Sequence, residues 1–128
     1  PVMKQLRPHL DEVQYLRLMA EVRSQGYHLL ALYDEGRIVA LAGFVVRTTL
    51  AHGRHIWVDD LVTDDSQRSR GYGQRLLEHV EALAAHYQCP RVGLSSNFQR
   101  TGAHRFYEEK MGYNRRSYTF WKSVDGGS

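Results

Sequence analysis

Arg68-Ser69-Arg70-Gly71-Tyr72-Gly73 lies between an apolar, strand-like run at 55–63 and a helix-like run at 74–87. A strand, a glycine-rich turn and a helix are a common way to hold a phosphate. Free backbone N–H groups at the turn and the helix N-terminus point at the anion, and the helix dipole favours its charge. Arg68 and Arg70 add permanent charge and forked donors. The stretch therefore reads as the cofactor loop of a small α/β domain that binds a phosphorylated ligand.

Two phosphate loops can be set aside. A Walker-type loop needs Gly-Lys-Ser/Thr after its glycines, and here Gly73 is followed by Gln74 and Arg75. The dinucleotide fingerprint needs a third glycine where this chain has Leu76. What remains is Arg/Gln-x-x-Gly-x-Gly opening a helix. This pattern resembles the coenzyme A loop of the GNAT (GCN5-related N-acetyltransferase) superfamily.

Two further stretches fit that resemblance. Ala103-His104-Arg105-Phe106-Tyr107-Glu108-Glu109-Lys110-Met111-Gly112-Tyr113 resembles the family's Ala-x-x-x-Tyr-Glu-Lys-x-Gly-Phe helix. Asp60-Leu61-Val62-Thr63 resembles the end of its fourth strand. The three matches come in the family's order.

The periodicities agree. Apolar residues at three- and four-residue spacing, with Asp11 and Glu12 in a first turn, predict an amphipathic helix over 8–24. Strands are expected at 27–33, 38–50 and 55–63, joined by turns at 34–37 and 51–54. Next come a helix over 74–87, a strand at 91–96, a short helix over 101–111 and a bent strand or hairpin arm at 113–124. The fold class is α/β (α+β), the GNAT acyl-coenzyme A N-acyltransferase fold. Its mixed sheet is mostly antiparallel and flanked by helices, because hairpins give antiparallel pairs and the β-α-β crossover a parallel one. Residues 1–124 read as one domain and 125–128 as a loose tail. The family's first strand is expected to be missing from this chain: either it lies outside these residues, or a partner supplies that sheet edge.

Composition narrows the classes. The chain has 128 residues, enough for one core. No apolar run approaches the roughly 18 residues of a membrane span. The lone Cys89 fits a reducing cytoplasm better than a disulfide framework, and it reads as a small buried hydrophobe. A net charge of +3 is spread along the chain, without a nucleic-acid-binding module. His52 and His55 bracket a turn with no third ligand at metal spacing, so no metal is expected.

The resemblance implies direct acetyl transfer from acetyl-coenzyme A to a primary amine of a small molecule or peptide, without a covalent enzyme intermediate. Arg68, Ser69, Arg70, Gly71, Tyr72, Gly73 and Gln74 would hold the pyrophosphate. Leu61, Val62 and Thr63 would pair with the amide-rich pantetheine as with an added strand. A backbone N–H there, often that of the residue matching Val62, would polarise the thioester oxygen. Tyr107 matches the tyrosine that protonates the departing thiolate. Asp60 is the first candidate for the base, since Asp59 points to the other face of a regular strand. A bulge, frequent here in the family, would change that. His28, His55, His104 and a water chain to a remote carboxylate stay open as alternatives. Arg100 stands where the family often has a pantetheine-binding asparagine and is a candidate cofactor ligand. A homodimer is common in the family. A second reading is an acyl-coenzyme A sensor without turnover.

Overall fold

The computed structural model describes residues 2–64, 71–95, 101–117 and 119–124. They fall into two compact units, residues 1–95 and 96–128, taken in turn.

The first unit is a four-stranded sheet with helices on both faces. Its elements are α1 (Val2–Leu6), α2 (Glu12–Ser24), β1 (His28–Asp34), β2 (Arg37–Thr49), β3 (Gly53–Thr63), α3 (Tyr72–His86) and β4 (Val92–Leu94). Strand order is β1-β2-β3-β4, with the first two pairs antiparallel and the last parallel. The expected mixed sheet is present.

Residues 39–44 of β2 are buried without alternation because the sheet is covered on both sides. On one face, Leu41 and its ladder partner Val62 meet Val2 and Met3 of α1. On the other, Phe44 stacks on His28 at 5.2 Å and meets Tyr87, the C-cap of α3, edge-on. The α3 stripe of Leu76, Leu77, Val80 and Ala84 is buried as its spacing predicts. Cys89 is free and buried.

The N-terminal segment departs from expectation. The spacing predicts one helix over 8–24; that helix, α2, begins only at Glu12, and α1 is a further helix ahead of the predicted range. The reason is a capping box. Asp11 Oδ1 accepts from the Gln14 N–H at 2.7 Å, and Gln14 Oε1 accepts from the Asp11 N–H at 3.1 Å. Asp11 thus starts α2 rather than lying inside it. No residue of α2 is buried, and Val13 and Leu16 are 65% and 58% exposed.

Two irregularities shape the α1 face. Gly43 pairs with Asp60 and Phe44 with Val58, so Asp59 is an extra residue in β3, a β-bulge. Gly43 also lets Tyr27 cross the sheet, since a Cβ there would stand 1.6 Å from the Tyr27 hydroxyl.

In the second unit, α4 (Thr101–Arg105) runs into a π-helical turn, Phe106–Lys110. Tyr107 is buried within that turn. Its ring lies 5.4 Å from Phe106 and 6.3 Å from Tyr113, and its carbonyl accepts from the Tyr113 N–H at 2.9 Å. Arg115 pairs with Glu108 at 2.7 Å. The strand expected over 113–124 is not formed among the described residues. Among its described residues the unit offers no second strand as a ladder partner, and Phe120, Trp121 and Val124 are exposed.

Gly43→Ala is expected to destabilise the protein by about 1–3 kcal/mol in urea unfolding, because Tyr27 must move. In a Tyr27→Ala background the cost should shrink by roughly 0.5–3 kcal/mol. Strict additivity of the two changes would contradict the close approach.

Candidate functional site

The β-bulge decides where the carboxylates of β3 go. In a regular strand Asp59 and Asp60 would face opposite ways. With the extra residue, both line one open cleft of about 460 Å³ beside α1 and α2. Its polar lining also includes Arg7, His9, Tyr15 and Tyr27, and its apolar wall is built from Met3, Leu10, Leu18, Met19 and Val22. The apolar stripe of α2 therefore lines this cleft in part and faces solvent in part.

Asp60 is held at both oxygens. Oδ1 accepts from Arg7 Nε at 3.1 Å and lies 3.0 Å from Arg7 Nη2. Oδ2 accepts from the Tyr27 hydroxyl at 2.6 Å. Arg7 Nη2 also donates to the Asp59 carbonyl at 3.0 Å. Arg7 follows α1 and is carried to this point by the seating of Val2 and Met3 on Leu41 and Val62. Burial first, then the Asp60 hydrogen bond and charge, hold the Tyr27 phenol far above its ordinary value, so it remains a donor.

Asp59 differs from its neighbour. Loss of water, then the Asp60 charge, raise its carboxyl above the usual aspartate range. Arg47, Arg7 and a hydrogen bond with Trp57 pull it the other way. Arg47 itself lies over the Trp57 ring, 5.4 Å from its centroid.

The far end of β3 forms a second feature. The Asp64 N–H donates to the Val39 carbonyl at 2.8 Å. By the alternation of an antiparallel ladder, Val62 also turns its N–H and C=O toward β2, and Leu61 and Thr63 turn theirs away. β4 pairs only with residues 56–58 of β3. Past Val58, no strand among the described residues pairs with that edge. The N–H groups at the open edge are thus those of Leu61 and Thr63, not that of Val62, to which the resemblance assigned the oxyanion contact.

α3 begins close by. A Cβ on Gly73 would stand 3.3 Å from Thr63 Oγ1. Gly71 is the N-cap, in the left-handed region at φ 78°, with no side chain to occupy the N–H groups of the first turn. No acidic residue sits in that turn. Tyr72 is buried, and its hydroxyl donates to Asp34 Oδ2 at 2.5 Å, which pins the start of the helix to β1. An anionic diphosphate fits such an end, and an amide-bearing arm fits the open β3 edge. Arg68, Ser69, Arg70 and Arg100 lie outside the described residues.

Of the histidine alternatives, His28 stacks on Phe44, on the α3 face of the sheet. His55 is buried near the start of β3 with Nδ1 2.9 Å from the Gly53 carbonyl. Neither lines the cleft. His104 is in the second unit, on α4. Arg7, Tyr15 and Tyr27 were not singled out from the sequence. The one available signal was Gly43, a glycine inside a strand pattern, which marks a close approach without naming what approaches. Among the described residues, no group of three or more His, Cys, Asp or Glu could hold a metal, and no helix is long and apolar enough to cross a membrane.

Known proteins match this arrangement. The acetyltransferase (GNAT) family model matches residues 3–113. The uncharacterized N-acetyltransferase YhdJ of Bacillus subtilis is 45% identical over 97% of this chain and 88% of its own length. A transcriptional regulator from Bacillus halodurans superposes with a TM-score of 0.77 at 22% identity, covering 88% of this chain and 76% of that one. A GNAT family acetyltransferase from Staphylococcus aureus gives 0.72 at 21% identity, covering 90% and 78%. At such identities the structural likenesses establish the fold alone.

A folded protein that keeps the Asp59 proton to higher pH than the unfolded chain is favoured most below about pH 3.8, the ordinary aspartate value, and loses that contribution as pH rises through the folded value. Asp59→Asn is therefore expected to melt at a higher temperature than the parent near neutral pH. The difference should narrow on acidification toward pH 3–4. Equal melting temperatures at pH 7 would speak against the raised carboxyl.

Proposed function

Because the chain belongs to the GNAT acetyltransferase family, and is an acyltransferase by that membership, we propose that it moves an acetyl group from acetyl-coenzyme A directly to a primary amine. The observation that carries this reading is the edge of β3 left open at Leu61 and Thr63, next to the side-chain-free start of α3 at Gly71.

The bound donor supplies a thioester whose carbonyl carbon accepts the amine nitrogen. Gly71, Tyr72, Gly73 and Gln74, with Arg68, Ser69 and Arg70, hold its diphosphate through N–H groups and guanidinium charge. Leu61 and Thr63 pair with its amide arm, and Arg100 adds a cationic contact. Leu61 donates its N–H to the thioester oxygen as negative charge develops there. The Asp59 carboxylate, with Asp60 clamped beside it by Arg7 and Tyr27, receives the ammonium form of the acceptor and accepts its proton. As the C–N bond forms and the C–S bond breaks, the Tyr107 hydroxyl gives its proton to the leaving thiolate, and the second proton shed by the acylated nitrogen restores the phenol. A phenol with a pKa near 10 is a suitable donor to a developing thiolate, whose conjugate acid has a pKa of about 8.5. Residues 1–124 act as one transferase domain in this reading. The buried free thiol of Cys89 suits a cytoplasmic setting.

Thiol release from acetyl-coenzyme A over a panel of amines tests the reaction. Tyr107→Phe is expected to lower kcat by roughly 10²–10⁴-fold. A fall of less than threefold with chemistry rate-limiting would remove Tyr107 from the acid role. Tight acetyl-coenzyme A binding with no turnover on any amine would favour a sensor instead.

A further inference from the structure

We propose that the cleft beside α1, α2 and β3 selects primary amines carrying an apolar arm, with the Asp59 carboxylate receiving the ammonium head. The fate of the bound amine rests on the acetyl-transfer reading; the binding itself does not.

Charge at the polar end of the cleft comes down to one group. Arg7 and Asp60 lie 3.0 Å apart and neutralise each other. The second Asp60 oxygen is taken by the Tyr27 hydroxyl. The remaining Arg7 contact goes to the Asp59 carbonyl, not to its carboxylate. Arg47, the other cation felt by Asp59, sits over the Trp57 ring and does not line the cleft. Among the described residues Asp59 thus carries a negative charge outside any ion pair, on a residue that lines the cavity. A cation is attracted there and a carboxylate repelled. Asp60 acts as a positioning residue, holding Arg7 and Tyr27 in place.

The wall opposite this end sets the rest of the ligand. Leu18, Met19 and Val22 come from one side of α2, and Leu10 from the loop before it. They offer no side-chain donor and no acceptor beyond the weak Met19 thioether, and Leu18 is 44% exposed. An alkyl or aryl arm laid on them leaves water along with the wall itself, which is worth about fourfold in affinity per methylene. A polyhydroxylated amine would lose water at each hydroxyl with few partners in return. At about 460 Å³ the cleft is in the range of small-molecule sites.

Calorimetric titration of the full chain with butylamine, hexylamine and octylamine, without acetyl-coenzyme A, tests the proposal. Affinity should rise about fourfold per methylene, and glucosamine and hexanol should bind at least tenfold more weakly than hexylamine. Asp59→Asn should lose tenfold or more for hexylamine, with its fold checked by circular dichroism. Met19→Gln should flatten the dependence on chain length. Affinity independent of chain length, or hexanol binding as well as hexylamine, would overturn the proposal. Thiol release separates the two readings. Ranked binding with no acetylation would sink the reaction and leave the cleft assignment standing. Acetylation of glucosamine in preference to every alkylamine would do the reverse.

Discussion

The clamp on Asp60 is the constraint on which the cleft beside α1 and α2 depends. One carboxylate takes a guanidinium from the segment after α1 and a phenol from the start of β1. Three pieces of chain far apart in sequence are thereby tied to one point on β3. A hydrogen bond involving a charged group contributes about 1.5–3 kcal/mol, and loss of one partner leaves the others short of water. The clamp therefore fixes the floor of the cleft as well as adding stability. It also occupies both Asp60 oxygens, which in the proposed reading leaves Asp59 for the acceptor.

Two local devices make the clamp possible. Gly43 leaves room for the Tyr27 ring to cross β2. The bulge adds Asp59 opposite that glycine, so that two adjacent carboxylates meet the same cavity. It also resets the ladder beyond it. Ile56 sends its N–H toward β4, to the Arg91 carbonyl, and after the inserted residue it is Leu61 and Thr63 that face the same side. A single extra residue thus sets both the carboxylates that meet the cleft and the backbone groups on the open β3 edge.

The fold was readable from the sequence where periodicity and turns are local. The hairpin strands, the α3 stripe and the parallel return to β4 follow from spacing and from the glycine turn at Gly71. Reading failed where partners are distant. Asp11 caps α2 through Gln14, which starts the predicted helix at Glu12 instead of residue 8. The alternation after Tyr113 gave a strand signal, but a strand needs a ladder partner, and its own unit has none among the described residues. At the site, Asp60 was identified by likeness to a known strand end. Its partners Arg7 and Tyr27 were not, because they reach it only through the register of β1, β2 and the docking of α1. The bulge that brings in Asp59 leaves no mark in composition. Only its pairing opposite Gly43 reveals it.

Asp59, and not the clamped Asp60, is the carboxylate assigned to the acceptor, and the rest of the proposed chemistry turns on that assignment. Carbon-13 NMR of the aspartate carboxyls across pH, with and without hexylamine, reads it directly. The expected result is an Asp59 titration midpoint above the ordinary aspartate range that moves down when hexylamine is added and stays put with hexanol. An Asp59 midpoint at the ordinary value, indifferent to the amine, would contradict it.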